Sequence, residues 1–235
     1  MARVGRVASA WRYPVKSMAG EALAEAPVTL QGVAHDRLYA FVQAESSSTF
    51  PWLTGRELAG MLRYEPRWIA GERIGLTVRT PSGAEHAITA DALRDELAAE
   101  SGRAVRLLAN YRGSFDVAAV SLMSLATVDG IAEASGTPPE TGRFRMNFYV
   151  ETDEGTPFAE DAWVGRVLRI GDAVRVAVTE RDKRCAMVTL APHGGAPLTP
   201  VLRAIAELND ATAGVYGAVL TPGTVRPGDE VVIED

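Results

Sequence analysis

The sequence predicts an α+β fold rich in β-barrel structure, and three observations carry that prediction. Apolar residues recur in many short runs closed by Gly, Pro, Asn or Asp, the mark of short strands joined by turns. Three segments have helical spacing with stop or start signals around them. Parallel strand–helix–strand units are not apparent, so antiparallel sheets with flanking helices are expected.

Val4–Trp11 reads as the first strand and stops at Tyr13-Pro14, because proline has no N–H for a sheet ladder. Val15–Gly20 follows as a loop. A strand near Ala26–Leu30 ends at the turn signal Gln31-Gly32. His35-Asp36-Arg37 leads into Leu38–Val42, a buried-strand composition, and Glu45–Thr49 is a polar loop. Leu58, Met61 and Leu62 have helix-like spacing. Ile74, Leu76 and Val78 alternate with polar or small residues, and His86–Ala90 returns as the hairpin partner after the turn Thr80–Gly83. Asp91 opens a helix closed by Gly102, and Ala104–Leu108 is a further strand.

The polar, glycine-containing stretch Tyr111–Ala118 marks the junction of two halves, 1–112 and 113–235. Val120–Met123 is a strand, Ser124 caps a helix with Leu125, Val128 and Ile131 as its stripe, and Gly136 ends it. Phe148–Val150 is a strand. Val167–Val174 and Thr224–Val231 echo each other, each reading as a hairpin with Gly-Asp at its turn. Between them Thr199 is the expected cap of a helix with Pro200 at its first position and Val201, Leu202, Ile205 and Leu208 on one face. Gly214–Leu220 and Glu230–Ile233 finish as strands.

Composition narrows function. Apolar residues make up 47% and charged residues 23% of 235 residues, ordinary for a globular chain. A net charge of −6 argues against general nucleic-acid binding, which needs a basic face. No apolar run reaches the roughly 18 residues of a membrane span, and the N-terminus lacks the apolar block of a signal peptide. A single cysteine makes no internal disulfide, so a cytoplasmic location is expected.

That cysteine is the focus. Cys185 follows Arg181, Lys183 and Arg184, and neighbouring cations favour the thiolate that attacks or ligates. Thiolate suits soft metal centres. The competing reading is a small hydrophobe in a core, the fate of most lone cysteines. His35, His86 and His193 are scattered without zinc spacing.

Several segments, taken in order, resemble the MOSC family, named for the C-terminal domain of molybdenum-cofactor sulfurase. Tyr13-Pro14-Val15-Lys16-Ser17, Asp36-Arg37 and Leu53-Thr54-Gly55-Arg56 are similar to its N-terminal β-barrel module. Arg143-Phe144-Arg145-Met146-Asn147, Lys183-Arg184-Cys185, Gly214-Val215-Tyr216 and Pro222–Asp229 are similar to the MOSC domain proper. The resemblance spans nearly the whole chain apart from residues 91–118. It implies an N-terminal MOSC β-barrel module followed by a MOSC β-barrel with flanking helices. Met146 departs from the proline common in relatives, and Val188 from a threonine.

The resemblance extends to the amidoxime-reducing component of mitochondria and its bacterial counterparts. It implies a molybdenum–pterin cofactor (molybdopterin), with no call for pyridoxal phosphate, and Cys185 as the molybdenum ligand. Lys16, Ser17, Arg37, Ser124, Arg145, Asn147, Arg184 and Tyr216 would hold the pterin and its phosphate. The residue types agree with that chemistry: Arg offers a bidentate fork and Lys a point charge to phosphate, and a helix N-terminus at Ser124 adds amides. Singly, each is an ordinary surface charge, cap or strand aromatic. The implied activity is reduction of small N-hydroxylated compounds, N–OH to N–H. A Gly-x-Gly-x-x-Gly fingerprint is absent and one cysteine builds no iron–sulfur cluster, so a separate flavin or iron–sulfur reductase is expected to supply electrons. The alternative is a non-catalytic molybdenum-cofactor or sulfur carrier using Cys185. It has no need for cations converging on the thiol.

Overall fold

The computed structural model of the protein describes residues 1–69 and 75–234. The first half holds β1 (Ala2–Arg12), β2 (Glu21–Leu23), β3 (Ala26–Thr29), β4 (Gly32–Val33), β5 (Tyr39–Gln43), β6 (Glu65–Trp68), β7 (Leu76–Arg79), β8 (Glu85–Ala87), α1 (Asp91–Ser101) and β9 (Val105–Ala109). The second half holds β10 (Val120–Ser124), α2 (Leu125–Ser135), β11 (Phe148–Thr152), β12 (Val167–Ile170), β13 (Val174–Lys183), α3 (Thr199–Asn209), β14 (Thr212–Thr221), β15 (Gly223–Val225) and β16 (Glu230–Glu234). Ile74, expected in a strand, lies outside the described residues.

Seven strands close a barrel in the order β11–β10–β14–β13–β12–β16–β1, with β1 returning to β11. Its interior is filled by alternate residues such as Val7, Leu122, Phe148, Val176, Val215 and Val231, all fully buried. The strands therefore keep the period-two pattern of a barrel wall. β1 comes from the N-terminus yet belongs to this barrel, and β15 near the C-terminus pairs with β3. The division at 112/113 therefore does not separate two sets of strands.

The rest of the first half forms β5–β9 and β6–β7–β8 around a second core of Val15, Met18, Phe41, Leu53, Met61, Leu76 and Leu93. A third core lies outside the barrel, where α2 and α3 pack Val128, Ile131, Val201 and Ile205 against Phe144, Met146 and Val188. Truncating the fully buried Ile205 to alanine should cost about 2–5 kcal/mol.

Several local expectations shift. β10 and β11 are parallel, with Leu122 opposite Phe148, and α2 is their crossover. A parallel βαβ unit is thus present where periodicity shows none, because a long irregular stretch separates α2 from β11. The Gly-Asp pair after β12 makes the expected hairpin, with Ile170 opposite Val174. At Gly228-Asp229 the chain does turn, Arg226 N donating to Asp229 Oδ2 at 2.7 Å. There the flanking strands join different sheets, β15 pairing with β3 while β16 pairs with β1 and β12. The Leu58–Leu62 spacing becomes a 3-10 turn, Ala59–Arg63. In α3, Leu198 is the cap residue and Thr199 the first helical position, one place from expectation.

Candidate functional site

A cleft of about 320 Å³ opens between the first half and one end of the barrel, with Cys185 in its wall. Four local features build it. Pro14 ends β1, and the following loop is stitched to β5 by Lys16 N to Tyr39 O and Tyr39 N to Pro14 O, at 2.8 and 3.0 Å. That presents Lys16 and Ser17. β13 runs to Lys183 with register breaks against β14, and such bulges re-aim side chains at barrel rims. The rim therefore carries Asp182, Arg184 and Cys185 beside Tyr216 of β14. Gly214 has φ +80, and a Cβ there would lie 2.8 Å from the Leu122 carbonyl oxygen, so this close approach requires glycine.

Cys185 is exposed, ends the β13 extension and precedes the short turn Ala186–Thr189. Arg143 pins that turn from below, donating from Nη1 to the Val188 and Leu190 carbonyls at 3.0 Å each and pairing with Glu140 at 2.7 Å. The two sequence departures are both buried: Met146 places its Sδ 3.5 Å from Arg184 Nη2, and Val188 sits in the third core.

The cations are arranged unusually. Arg37 and Arg145 lie 4.5 and 4.4 Å from the centroid of the Tyr13 ring. Arg37 pairs with the buried Asp36, but Arg145 has no carboxylate, and its Nη2 is buried without a hydrogen-bond partner. Burial and the neighbouring Arg37 depress its pKa to about 10. Lys16 is 6% exposed, donating to Ser114 O at 2.7 Å and Asp116 Oδ1 at 2.5 Å, and burial lowers its pKa. Ser17, Arg37 and Arg145 all have left-handed backbone, φ 65, 48 and 59. Strain of this kind collects at ligand clamps.

Seven of the eight expected pterin-holding residues and Cys185 line this one cleft: Lys16, Ser17, Arg37, Arg145, Asn147, Arg184 and Tyr216. Ser124 does not line it. Its side chain is fully buried and accepts from Thr127 N at 3.0 Å, so it caps α2, with Thr127 in turn donating to Glu160 at 2.9 Å. Two others line the cleft as struts. Asn147 has all four side-chain valences filled, by Ser121 N and Oγ, the Trp11 carbonyl and Asp36. Arg184 donates to the Ala213 and Phe144 carbonyls and pairs with Asp182 at 3.0 Å.

The structure adds residues that sequence reading left out. Asp182, only 4% exposed, faces the cleft between Arg184 and Tyr216. Burial raises its pKa against the pull of Arg184, and burial together with Asp182 raises that of Tyr216. Nothing in a lone Asp beside basic residues signals this. Phe50 and Arg56 complete the rim, the guanidinium 4.9 Å from the ring centroid.

The description MOSC domain matches residues 111–232, and MOSC N-terminal beta barrel domain matches 4–117. The chain belongs to the MOSC family. MOSC domains are associated with binding of molybdenum cofactor. Among solved structures, the YuaD protein from Bacillus subtilis is similar at TM-score 0.54 and 14% identity, covering 98% of this chain and 96% of that one. YiiM from Geobacillus stearothermophilus aligns over 50% of this chain and 54% of its own, at TM-score 0.39 and 24% identity. The likeness to YuaD describes fold alone. No curated protein sequence matches the chain. No helix among the described residues is long and apolar enough to cross a membrane.

Proposed function

We propose that this MOSC protein holds a molybdenum–pterin cofactor in the cleft, with Cys185 as the metal's protein ligand, and reduces N-hydroxylated compounds. The single observation that carries the reading is Arg145: a half-buried guanidinium whose Nη2 is buried and unpartnered, next to a second guanidinium and facing the same cleft as the thiol. A protein tolerates that arrangement when an anion completes it. A pterin phosphate fits, with Lys16, Ser17 and Arg145 as donors. Among the described residues no three His, Cys, Asp or Glu side chains group to hold a metal, so one thiolate plus ligands carried by the cofactor suits the donor set.

When bound, the cofactor supplies the two-electron chemistry: N–OH plus two electrons and two protons becomes N–H plus water. The chain's part is positioning. Phe144, Met146 and Val188 pack the cleft floor onto the third core and keep it from shifting. Burial and the hydrogen-bonded Asp182 raise the Tyr216 pKa, so the residue stays a neutral hydroxyl that positions substrate by hydrogen bonding at the cleft wall. A separate flavin or iron–sulfur reductase provides the electrons. Protein purified from a cofactor-competent host should turn over a hydroxylamine or amidoxime with reduced viologen. Full cofactor loading with no turnover on any N-hydroxylated substrate would favour the carrier alternative.

A further inference from the structure

A second cavity, about 760 Å³ and larger than the cysteine cleft, lies between the two halves with Arg145 as the only lining residue common to both. Arg63 and Arg79 enter it from the first half, Arg145 and His193 from the second. Among the described residues the Arg63 and Arg79 side chains have no ion pair or hydrogen bond, and Arg145 has no carboxylate partner. The cavity's two carboxylates are already engaged, Glu65 by Arg67 at 2.8 Å and Glu140 by Arg143 at 2.7 Å. Arg63 and Arg79 are exposed at the mouth of this half-open cavity, so their forks are free to meet a ligand, in a chain of net charge −6. Its other walls mix Trp11, Pro81, Pro139 and Pro192 with the polar Thr80 and Thr141.

We propose that this cavity is a second ligand site, for a ring-bearing phosphomonoester of nucleotide size, separate from the cofactor cleft. Arginine forks match phosphate oxygens bidentately, and an aromatic with proline faces suits a planar ring. The volume leaves room for a ring beside the phosphate. Arg145 closes the wall between the sites, so its charge is felt in both.

The test titrates the full chain calorimetrically with AMP, adenosine and inorganic phosphate. AMP should bind, with adenosine weaker by at least about tenfold, the loss expected when a charge-assisted contact goes. The double variant Arg63→Ala/Arg79→Ala should weaken AMP by a further factor of about ten or more, while Arg226→Ala, an exposed arginine paired with Glu25, should not. Molybdenum content of the double variant should match wild type, which separates this site from the cofactor cleft. Absence of AMP binding, adenosine binding as tightly as AMP, or undiminished AMP binding in the double variant would each overturn the proposal.

Discussion

Arg37 donates from Nη2 to the backbone carbonyl of Arg145 at 2.8 Å, so one cation of the cleft holds the backbone of the other in a left-handed turn. Two like charges are fixed side by side; Asp36 pairs directly with the first, while the second has no ion pair of its own among the described residues.

Removing it should therefore affect ligand and fold oppositely. Arg145→Ala should cut pterin retention by an amount on the order of 1.5–3 kcal/mol, one charge-assisted contact, without lowering the melting temperature of cofactor-free protein. Arg37→Ala should lose retention too, but with lower stability, since Asp36 is then left buried and unpaired. Cofactor content after gel filtration reads the first effect, with Arg103→Ala as a control whose side chain bonds only to Gln43. Equal retention in all three would make these arginines surface charges.

Asp36 itself is the strut between the halves, accepting from Tyr13 N at 2.7 Å, from Asn147 Nδ2 at 3.0 Å and from Arg37. Asp36→Ala should destabilise the chain by about 3–5 kcal/mol, because it strands a buried guanidinium and two other donors. Chemical denaturation measures it, and a loss under 1 kcal/mol would contradict this role ~ the scale of an exposed pair.

These struts show where the sequence is legible. Cap and stop residues locate the three helices to within a residue, since Gly102 and Gly136 are left-handed ends as their type demands. The cleft residues can be named because Lys16, Arg37, Arg145 and Cys185 sit in recognisable motifs. What each does there is less visible. Asn147 and Arg184 bond to backbone atoms far along the chain, and Ser124 faces Glu160 instead of the cleft. Such partners depend on how strands are ordered in the barrel, and period-two patterning is silent on order. The parallel β10–β11 pair escapes for the same reason.

Glu160 gives a pH signature. It is fully buried, its Oε1 has no hydrogen-bond partner, and burial raises its pKa above the usual carboxylate range. The folded state thus binds a proton more tightly than the unfolded one, so this residue's contribution is full below the ordinary glutamate pKa. It is lost as pH rises through the raised value. Glu160→Gln keeps an acceptor for Thr127 and should stabilise the protein at pH 8 more than at pH 4. Unfolding midpoints across that range check it, and a variant that is less stable at pH 8 would contradict it.

The electron source is equally specific. Without a dinucleotide fingerprint, NADPH alone should not drive turnover of a hydroxylamine by the isolated chain, whereas reduced viologen or an added flavin or iron–sulfur reductase should. Robust turnover with NADPH only, or a flavin bound to the purified chain, would contradict the proposed partner.

The central claim is the bond between Cys185 and molybdenum, and elemental analysis of protein from a cofactor-competent host tests it most directly. Wild type should carry close to one molybdenum per chain. Cys185→Ser should lose most of it at unchanged circular dichroism and melting temperature of the cofactor-free forms, since a hydroxyl is a harder, less acidic ligand. A wild-type protein without molybdenum, or a serine variant that retains it fully, would contradict the account.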